Sequence, residues 1–248
     1  MRILGSDFDG TLNFGGIDER KIQAIEMWRA AGNKFGIVSG RSIQSCLSML
    51  GKHPGLKVDF FAACNGACIT DGSGRILCEE RCSLISPLQL VEMIVSLGGE
   101  VVWIQGDESI CYEVPISDDS LRRLTETTEY YQVSTKLPTP EDAKAFTEQM
   151  RLEYGDALNP MQNGRSVDIV AKLINKAEGL RRVASHFGAK CEDIIAVGDN
   201  LNDLDMIRAF RSYAMENGVA EVKSLAGATV ESVADLIEIE MKGFVCAS

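Results

Sequence analysis

Two aspartates near the start of the sequence have the spacing of a catalytic pair. Asp7 and Asp9 lie in the segment DFDGT, residues 7–11, at the end of the strand-like stretch ILGSD. Residues two apart at a strand end can present both side chains to one pocket. Gly10 permits a tight turn there and lets backbone amide groups approach an oxyanion closely. The two carboxylates could then act together in one pocket, and a solvated turn is the alternative interpretation.

A second acidic motif lies near residue 200. The segment GDNLND, residues 198–203, matches the pattern G-D-x-x-N-D, which should arise by chance in fewer than about 1% of such chains. Asn202 or Asp203 could simply cap the following helix, but capping does not explain Asp199, which directly follows an apolar strand. If these aspartates meet the earlier pair at one sheet edge, their carboxylates repel one another unless a cation is bound. Carboxylate, carbonyl and water oxygens suit Mg2+.

A lysine and a serine could complete an anion site. Lys176 opens a predicted helix, where the helix dipole disfavours a cation by about 0.3–1 kcal/mol. A lysine that faces a phosphate group or clustered aspartates has a reason to be there. Ser39 and Gly40 precede a predicted helix N-terminus, whose backbone N–H groups can bind an anion. A solvated surface lysine and an ordinary loop are the alternative interpretations.

The elements that must position these residues follow a βαβα order at both ends of the chain. Residues 3–7 and 34–39 are strand-like, and residues 17–32 have a helical pattern with Asp18 near the N-cap. A similar alternation returns over residues 175–227. We therefore predict an α/β fold with a doubly wound, parallel-sheet, Rossmann-like core. In such sheets, ligands bind beyond the carboxyl ends of the strands.

The middle of the chain has a different pattern, typical of an inserted α+β domain. Helical and strand-like segments follow one another over residues 83–171. Strand pairs separated by Gly106-Asp107 and by Asn163-Gly164 favour β-hairpins. We predict a core domain formed by residues 1–82 and 172–248, with an inserted cap domain over residues 83–171.

The composition is that of a soluble globular protein, since 45% of the residues are apolar and 25% are charged. The formal net charge of −11 argues against nucleic acid or an anionic membrane as the main partner. No apolar run approaches the ~18 residues of a membrane span, and the first residues lack signal-peptide features, so we expect a cytoplasmic protein. The C-x3-C pairs Cys64/Cys68 and Cys78/Cys82 lie in or beside apolar segments, which favours buried thiols over a zinc site.

In chain order the four motifs are residues 7–11, Ser39, Lys176 and residues 198–203. Together, in that order, they resemble those of the haloacid dehalogenase superfamily of phosphohydrolases. The insertion between Ser39 and Lys176, the segment around Asn65-Gly66 and the stretch AMENGVAEVKSLA further resemble its Cof-like branch, class IIB, which carries a large α/β cap. Ala177 departs from the glycine that many members of this branch have. The resemblance implies a Mg2+-dependent phosphatase that hydrolyses a small phosphorylated metabolite, a sugar phosphate or a similar phosphomonoester, through an aspartyl phosphate.

The resemblance also implies a role for each motif residue. Asp7 is expected to be the nucleophile, and Asp9 is expected to be the general acid and base. The expected Mg2+ ligands are Asp7, Asp9 through its backbone carbonyl, Asp199 and Asp203. The expected phosphate-binding residues are Gly10, Thr11, Ser39, Gly40, Lys176 and Asn202.

Other functions are compatible with the same motifs. A phosphotransferase or phosphomutase would form the same aspartyl phosphate but pass the phosphoryl group to a second hydroxyl. A signalling receiver needs only about half of this length, and an inactive binding module is expected to have lost at least one catalytic residue, whereas all are present. The polar residues in or beside turns that could select the substrate are Arg41, Lys136, Gln162, Asn163 and Arg165.

Overall fold

The computed structural model of the chain describes residues 1–245. It divides into two compact units. The core unit comprises Met1–Cys78 and the chain from Lys176 onward, and the insert unit comprises Glu79–Asn175. The predicted cap boundaries, residues 83 and 171, both lie inside the insert unit. That this insertion serves as a cap domain stays a prediction.

The described residues form thirteen strands in two sheets. In chain order the strands are β1 (Ile3–Ser6), β2 (Lys34–Val38), β3 (Phe60–Ala63), β4 (Cys68–Asp71), β5 (Ile76–Glu79), β6 (Val101–Gln105), β7 (Ser109–Glu113), β8 (Gln132–Lys136), β9 (Leu158–Asn163), β10 (Ser166–Ala171), β11 (Ile194–Gly198), β12 (Arg211–Met215) and β13 (Ala228–Val230). The core sheet has the order β13-β12-β11-β1-β2-β3-β4-β5, and the sheet of the insert unit has the order β7-β6-β8-β10-β9.

Nine α-helices lie within the same described range. They are α1 (Glu19–Ala30), α2 (Ile43–Gly51), α3 (Pro87–Ser96), α4 (Asp118–Glu126), α5 (Pro140–Tyr154), α6 (Lys176–Phe187), α7 (Leu204–Ala209), α8 (Ala220–Leu225) and α9 (Val233–Val245). The Asp18 side chain caps α1 by accepting a hydrogen bond from the Lys21 N–H at 2.9 Å. That cap satisfies one of the N–H groups left open at the helix start.

Strand β1 lies at the centre of the core sheet and pairs in parallel with β11 on one side and β2 on the other. Ile3 packs in a cluster with Leu180 of α6, while Leu4 points to the opposite face and is equally buried. A parallel strand that is buried on both faces requires helices on both sides of the sheet. The predicted α/β class is confirmed. The carboxyl ends of β1, β2 and β11 reach the same edge, because all three run in the same direction.

The core sheet is not parallel throughout. β4 pairs antiparallel with β3, and β5 follows it at the sheet edge. The sequence predicts no strands in this region. The turn between β3 and β4 places Cys64 and Asn65 at positive φ, 49° and 54°, a conformation that non-glycine residues seldom adopt. The run FFAACNGACI contains the turn dipeptide Asn65-Gly66, but its apolar residues do not alternate with polar ones, so the strand pattern expected around a hairpin turn is missing.

The insert unit has the predicted α+β character. Both predicted hairpins are present: β6 pairs antiparallel with β7 across Gly106-Asp107, and β9 pairs with β10 across Asn163-Gly164. One apolar cluster includes Ile94 of α3, Phe146 of α5 and Val102 of β6, so the helices and the sheet share a core. Burying each such side chain stabilises a fold by about 1.5–3 kcal/mol.

Two chain-wide findings bear on the earlier expectations. Across the described helices, none has both the length and the apolar character needed to cross a membrane. The cysteines up to Cys191 are free thiols, and Cys64, Cys68 and Cys82 are buried. These three buried cysteines therefore act as small apolar side chains in the protein interior.

Candidate active site

The turn after β1 carries the predicted nucleophile. The N–H of Asp7 donates to the Val197 carbonyl at 3.0 Å, which continues the β1–β11 pairing by one residue. Gly10 follows with φ of +83°. A Cβ atom at this position would lie 2.4 Å from Asp199 Oδ2. Glycine is therefore needed both for the backbone conformation and for the close approach of the two acidic loops.

Lys176, the first residue of α6, is fully buried beside two of the predicted aspartates. Its Nζ lies 2.7 Å from Asp7 Oδ1 and 2.6 Å from Asp203 Oδ1. Burial by itself would lower the pKa of Lys176, but the charges of Asp203 and Asp7 outweigh it and hold this pKa above its usual value. The lysine is thus a permanent cation between two carboxylates.

Asp203 uses both carboxylate oxygens within the protein. Oδ1 binds Lys176, and Oδ2 accepts the backbone N–H groups of Asp199 at 2.9 Å and Asn200 at 3.0 Å. The residue is completely buried. This geometry fixes the Lys176 ammonium group and the loop after β11. It favours an orienting role for Asp203 over direct contact with a metal.

Asp199 is held in place by Thr11, whose hydroxyl donates to Asp199 Oδ1 at 2.7 Å. Thr11 is fully buried. Its hydroxyl therefore joins the two acidic loops, whereas the sequence analysis predicted that it binds phosphate. Burial raises the pKa of Asp199, the Thr11 hydrogen bond opposes this, and the charge of Asp203 adds to it.

Three carboxylates come close enough to share one cation. One oxygen from each of Asp7, Asp199 and Asp203 lies within 4.8 Å of the others. Burial raises the pKa of Asp7 to about 8; the charge of Lys176 opposes this, and the charges of Asp203 and Asp199 reinforce it. When all three carboxylates are ionised, they carry three negative charges against the single positive charge of Lys176. The excess charge and the all-oxygen donor set fit a hard divalent cation.

Asp9 lies beside this cluster and is paired with Arg41. Two nitrogens of the guanidinium, Nε and Nη2, each lie 2.7 Å from one Asp9 oxygen. The pair is partly exposed, with 38% of the Arg41 side chain and 55% of the Asp9 side chain accessible. The sequence analysis named Arg41 as a candidate substrate-selecting residue. In the structure it contacts the predicted acid and base.

The remaining predicted phosphate-binding residues come from two loops. Ser39 is buried directly after β2, and its Oγ accepts the Arg41 N–H at 3.2 Å. Gly40 follows at the same sheet edge. Asn202 is half-buried in the loop before α7, and its side chain makes no hydrogen bond within residues 1–245. Their contacts with phosphate stay predictions.

The loop after β12 is a part of the site for which the sequence analysis proposed no role. Asn217 Nδ2 donates to the Gly10 carbonyl at 2.8 Å. The N–H of Val219 donates to the Asp199 carbonyl at 2.9 Å. This loop therefore holds in place both acidic turns, the one at Gly10 and the one at Asp199. The available signal was the segment AMENG, residues 214–218, whose asparagine and glycine follow a predicted strand.

The other candidate selectivity residues belong to the insert unit. Register brings Lys136 of β8 and Asn163 of β9 to either side of Ser166 in β10. Gln162 donates to the carbonyls of Pro140 at 2.8 Å and Gly164 at 2.9 Å. Arg165 donates to the Leu137 carbonyl at 2.8 Å and binds Glu100 at 2.7 Å. Gln162 and Arg165 thus hold the insert backbone, and a substrate role for the four residues stays a prediction.

With this geometry established, comparison with known proteins defines the class. The family model of the haloacid dehalogenase-like hydrolases matches residues 4–236. The chain belongs to this family. The chain also has the fold of a solved subclass IIB structure over nearly its whole length.

Three similar proteins illustrate this relationship. The Escherichia coli 5-amino-6-(5-phospho-D-ribitylamino)uracil phosphatase YbjI is 25% identical, covering 98% of this chain and 97% of its own. A phosphoglycolate phosphatase from Methanosarcina mazei is 27% identical, covering 64% of this chain and 74% of its own. The solved subclass IIB sugar phosphatase BT4131 has a TM-score of 0.78 at 23% identity, covering 98% of this chain and 99% of its own.

Proposed function

We propose that this hydrolase is a Mg2+-dependent phosphatase that removes phosphate from a small metabolite through an aspartyl phosphate on Asp7. The observation that carries the proposal is the contact of Asp7 with the buried Lys176, next to Asp199 and Asp203 at the carboxyl edge of a parallel sheet. A nucleophilic carboxylate, a fixed cation and an acidic cluster are the groups that phosphoryl transfer requires.

Asp7 attacks phosphorus, and the bond between phosphorus and the leaving-group oxygen breaks. Lys176 binds Asp7 Oδ1, whereas Oδ2 accepts no hydrogen bond within the described chain. We assign the attack to Oδ2. Asp9 donates its proton to the leaving oxygen and afterwards deprotonates the water that cleaves the aspartyl phosphate.

The donor set fits Mg2+. Asp7, Asp199 and the backbone carbonyl of Asp9 would hold the ion directly, with Asp203 orienting the surrounding groups. When bound, the ion neutralises charge on the transferring phosphoryl group. Lys176, Ser39 and the amides near Gly10 and Gly40 would hold the phosphoryl oxygens, with Asn202 at the rim. The remaining residues of the candidate site keep the roles that the sequence predicts for them.

The substrate is proposed to be a sugar phosphate or a similar phosphomonoester. The names of the relatives support this, because they describe phosphatases of a ribitylamino uracil, of phosphoglycolate and of sugars. A net charge of −11 disfavours a polyanionic substrate more than a small phosphorylated one. We propose a cytoplasmic enzyme that acts on a soluble metabolite.

The test combines a substrate panel with detection of the intermediate. The purified protein should release inorganic phosphate from 4-nitrophenyl phosphate and from at least one metabolite in a panel of phosphomonoesters with Mg2+. After rapid acid quenching, mass spectrometry should locate one phosphoryl group on Asp7. Asp7→Asn should abolish both signals and leave the circular dichroism spectrum unchanged, because an amide is not a competent nucleophile.

Asp205→Asn is the matched control, because this exposed aspartate lies in α7, two residues after Asp203. It should retain full turnover. Phosphorylation at another residue, or equal activity of Asp7→Asn and the parent, would contradict the assignment. The products also separate hydrolysis from transfer: a phosphotransferase would yield a new phosphate ester when a second alcohol is added, and a phosphatase would yield inorganic phosphate.

A further inference from the structure

The guanidinium of Arg41 contacts both oxygens of Asp9 and is itself held from two other directions. Its third nitrogen, Nη1, donates to Ser45 Oγ in α2 at 3.1 Å. The guanidinium carbon lies 5.6 Å from the centre of the Phe8 ring. A planar fork with five N–H donors matches a carboxylate in two parallel hydrogen bonds. The contacts with Ser45 and Phe8 fix the orientation of this guanidinium group.

The backbone of Arg41 is equally well fixed. Its N–H donates to Ser39 Oγ at 3.2 Å, and its carbonyl accepts the N–H of Cys64 at 2.9 Å. The Asp9 side chain is 55% exposed, and within residues 1–245 it is hydrogen-bonded only by Arg41. The orientation of the Asp9 carboxylate therefore depends on this arginine.

The two-pronged contact has a consequence for proton transfer. Each Asp9 oxygen accepts a guanidinium N–H, which suits an ionised carboxylate. An oxygen that carries a proton is a donor and is directed away from another donor. Asp9 must therefore lose one of its two hydrogen bonds to the Arg41 guanidinium when it carries a proton. An exposed ion pair is weak enough to exchange one of its hydrogen bonds readily.

We propose that Arg41 is a positioning residue that holds one Asp9 oxygen throughout the reaction while the other oxygen turns to the leaving group. This inference rests on the proposed function. The Asp7–phosphorus bond forms as the bond between phosphorus and the leaving oxygen breaks, and the Asp9 proton passes to that oxygen. Asp9 is then a carboxylate and regains both hydrogen bonds to Arg41.

Four variants separate this role from simple charge or folding effects. Arg41→Lys keeps the charge but loses the fork, and Arg41→Gln loses both. Ser45→Ala removes the anchor on Nη1. Arg75→Gln is the matched control, because Arg75 forms another surface pair of the core unit, with Asp71 at 3.0 Å. Steady-state kcat and KM are measured with 4-nitrophenyl phosphate, phenyl phosphate and glycerol phosphate.

The expected pattern depends on the leaving group. 4-Nitrophenolate departs without a proton, so both Arg41 variants should keep kcat/KM for its ester within about twofold of the parent. For glycerol phosphate kcat/KM, which covers the steps up to departure of the leaving group, should fall by about tenfold or more. Ser45→Ala should show the same trend at about threefold, and Arg75→Gln should match the parent. An equal loss of kcat/KM for all three esters, or an unchanged or higher kcat/KM for glycerol phosphate, would overturn the proposal.

Crystallography tests the positioning role of Arg41 without a measurement of turnover. Crystal structures of the parent and of Arg41→Gln should show Asp9 in one orientation in the parent and in several in the variant. An unchanged single orientation in the variant overturns the proposal. A parent enzyme that hydrolyses none of the three esters would instead contradict the proposed function, and the orientation of Asp9 would still decide the role of Arg41.

Discussion

Replacing the buried lysine provides a direct test of the electrostatics of the site. Lys176→Met keeps the length of the side chain but leaves Asp7 and Asp203 without their shared cation. Both carboxylates are almost inaccessible to water, at 6% and 0% exposure. Their charges can then be balanced only by taking up a proton or by rearrangement of the loop after β11. Each alternative costs free energy, and the Lys176 ammonium group avoids this cost in the parent protein.

The size of the effect follows from these contacts. Removing one partner of a buried ion pair costs about 3–5 kcal/mol, because the other charge is left uncompensated. For a chain of this length, about 2–4 °C is lost per kcal/mol, so the melting temperature should fall by about 6–20 °C. Since Asp203 contacts Lys176 directly, Lys176→Met combined with Asp203→Asn should cost about 0.5–3 kcal/mol less than the sum of the single changes.

The assay is urea unfolding in the presence of a chelator, so that no divalent ion replaces the lost charge. Lys190→Met is the control, since that lysine is exposed and pairs with Glu192 at the surface; it should lie within about 0.5 kcal/mol of the parent. If Lys176→Met unfolds at the same urea concentration as the control, the reasoning about buried charge is wrong. Additive single and double changes would show that Lys176 and Asp203 are not coupled.

Four further outcomes are expected. Asn217→Ala removes the hydrogen bond to Gly10 and should lower kcat about tenfold for activated and unactivated esters alike, equivalent to about 1.4 kcal/mol, as steady-state kinetics will show. Chelation should abolish turnover, Ca2+ should restore it poorly because it prefers more ligands at longer distances, and Mg2+ at 100 times its Kd should raise the free energy of unfolding by about 2.7 kcal/mol in urea titrations. Burial alone would raise the pKa of Asp59, but hydrogen bonds from Arg29 and a backbone N–H lower it below its usual value. Its contribution to stability is therefore complete above about pH 4 and is lost as the pH falls through the lowered pKa, so Asp59→Asn should cost about 1–2 kcal/mol at pH 7 and progressively less below pH 4. Replacement of residues 79–175 by a short Gly/Ser linker should preserve slow hydrolysis of an aryl phosphate but remove preference among metabolites, because every proposed catalytic group belongs to the core unit.

Much of the fold follows from periodicity and turn chemistry in the sequence. The helix over Glu19–Ala30 has a capping Asp18 and a following Gly32, and the hairpin at Asn163-Gly164 has a dipeptide that favours such turns. The strands over residues 60–79 were not predicted, although Asn65-Gly66 is a turn dipeptide of the same type. Their apolar residues do not alternate with polar ones, and the turn places Cys64 and Asn65 at positive φ in addition to Gly66. That turn is held by tertiary packing, which a local pattern does not reveal.

The sequence predicts which residues of the candidate site come close together. Asp7 and Asp199 follow neighbouring parallel strands, so strand direction alone brings them to one edge. The individual hydrogen bonds were not predictable. Thr11 donates to Asp199, 188 positions away in sequence, and Arg41 binds Asp9 rather than standing free for a substrate. Such choices depend on side-chain rotamers and on the exact separation of loops, neither of which appears in residue spacing.

The order of the core strands also determines when this protein can fold during its synthesis. Among the described strands β1 leaves the ribosome before the others, yet its neighbour β11 pairs through Ile194, about 190 residues after Ile3. At about 5–20 residues per second, translation of that interval takes about 10–40 seconds. Throughout this time one edge of β1 has unpaired N–H and C=O groups. The nascent chain therefore passes through a prolonged stage in which chaperone binding, or early folding of the sequence between the two halves of the core, protects it from aggregation.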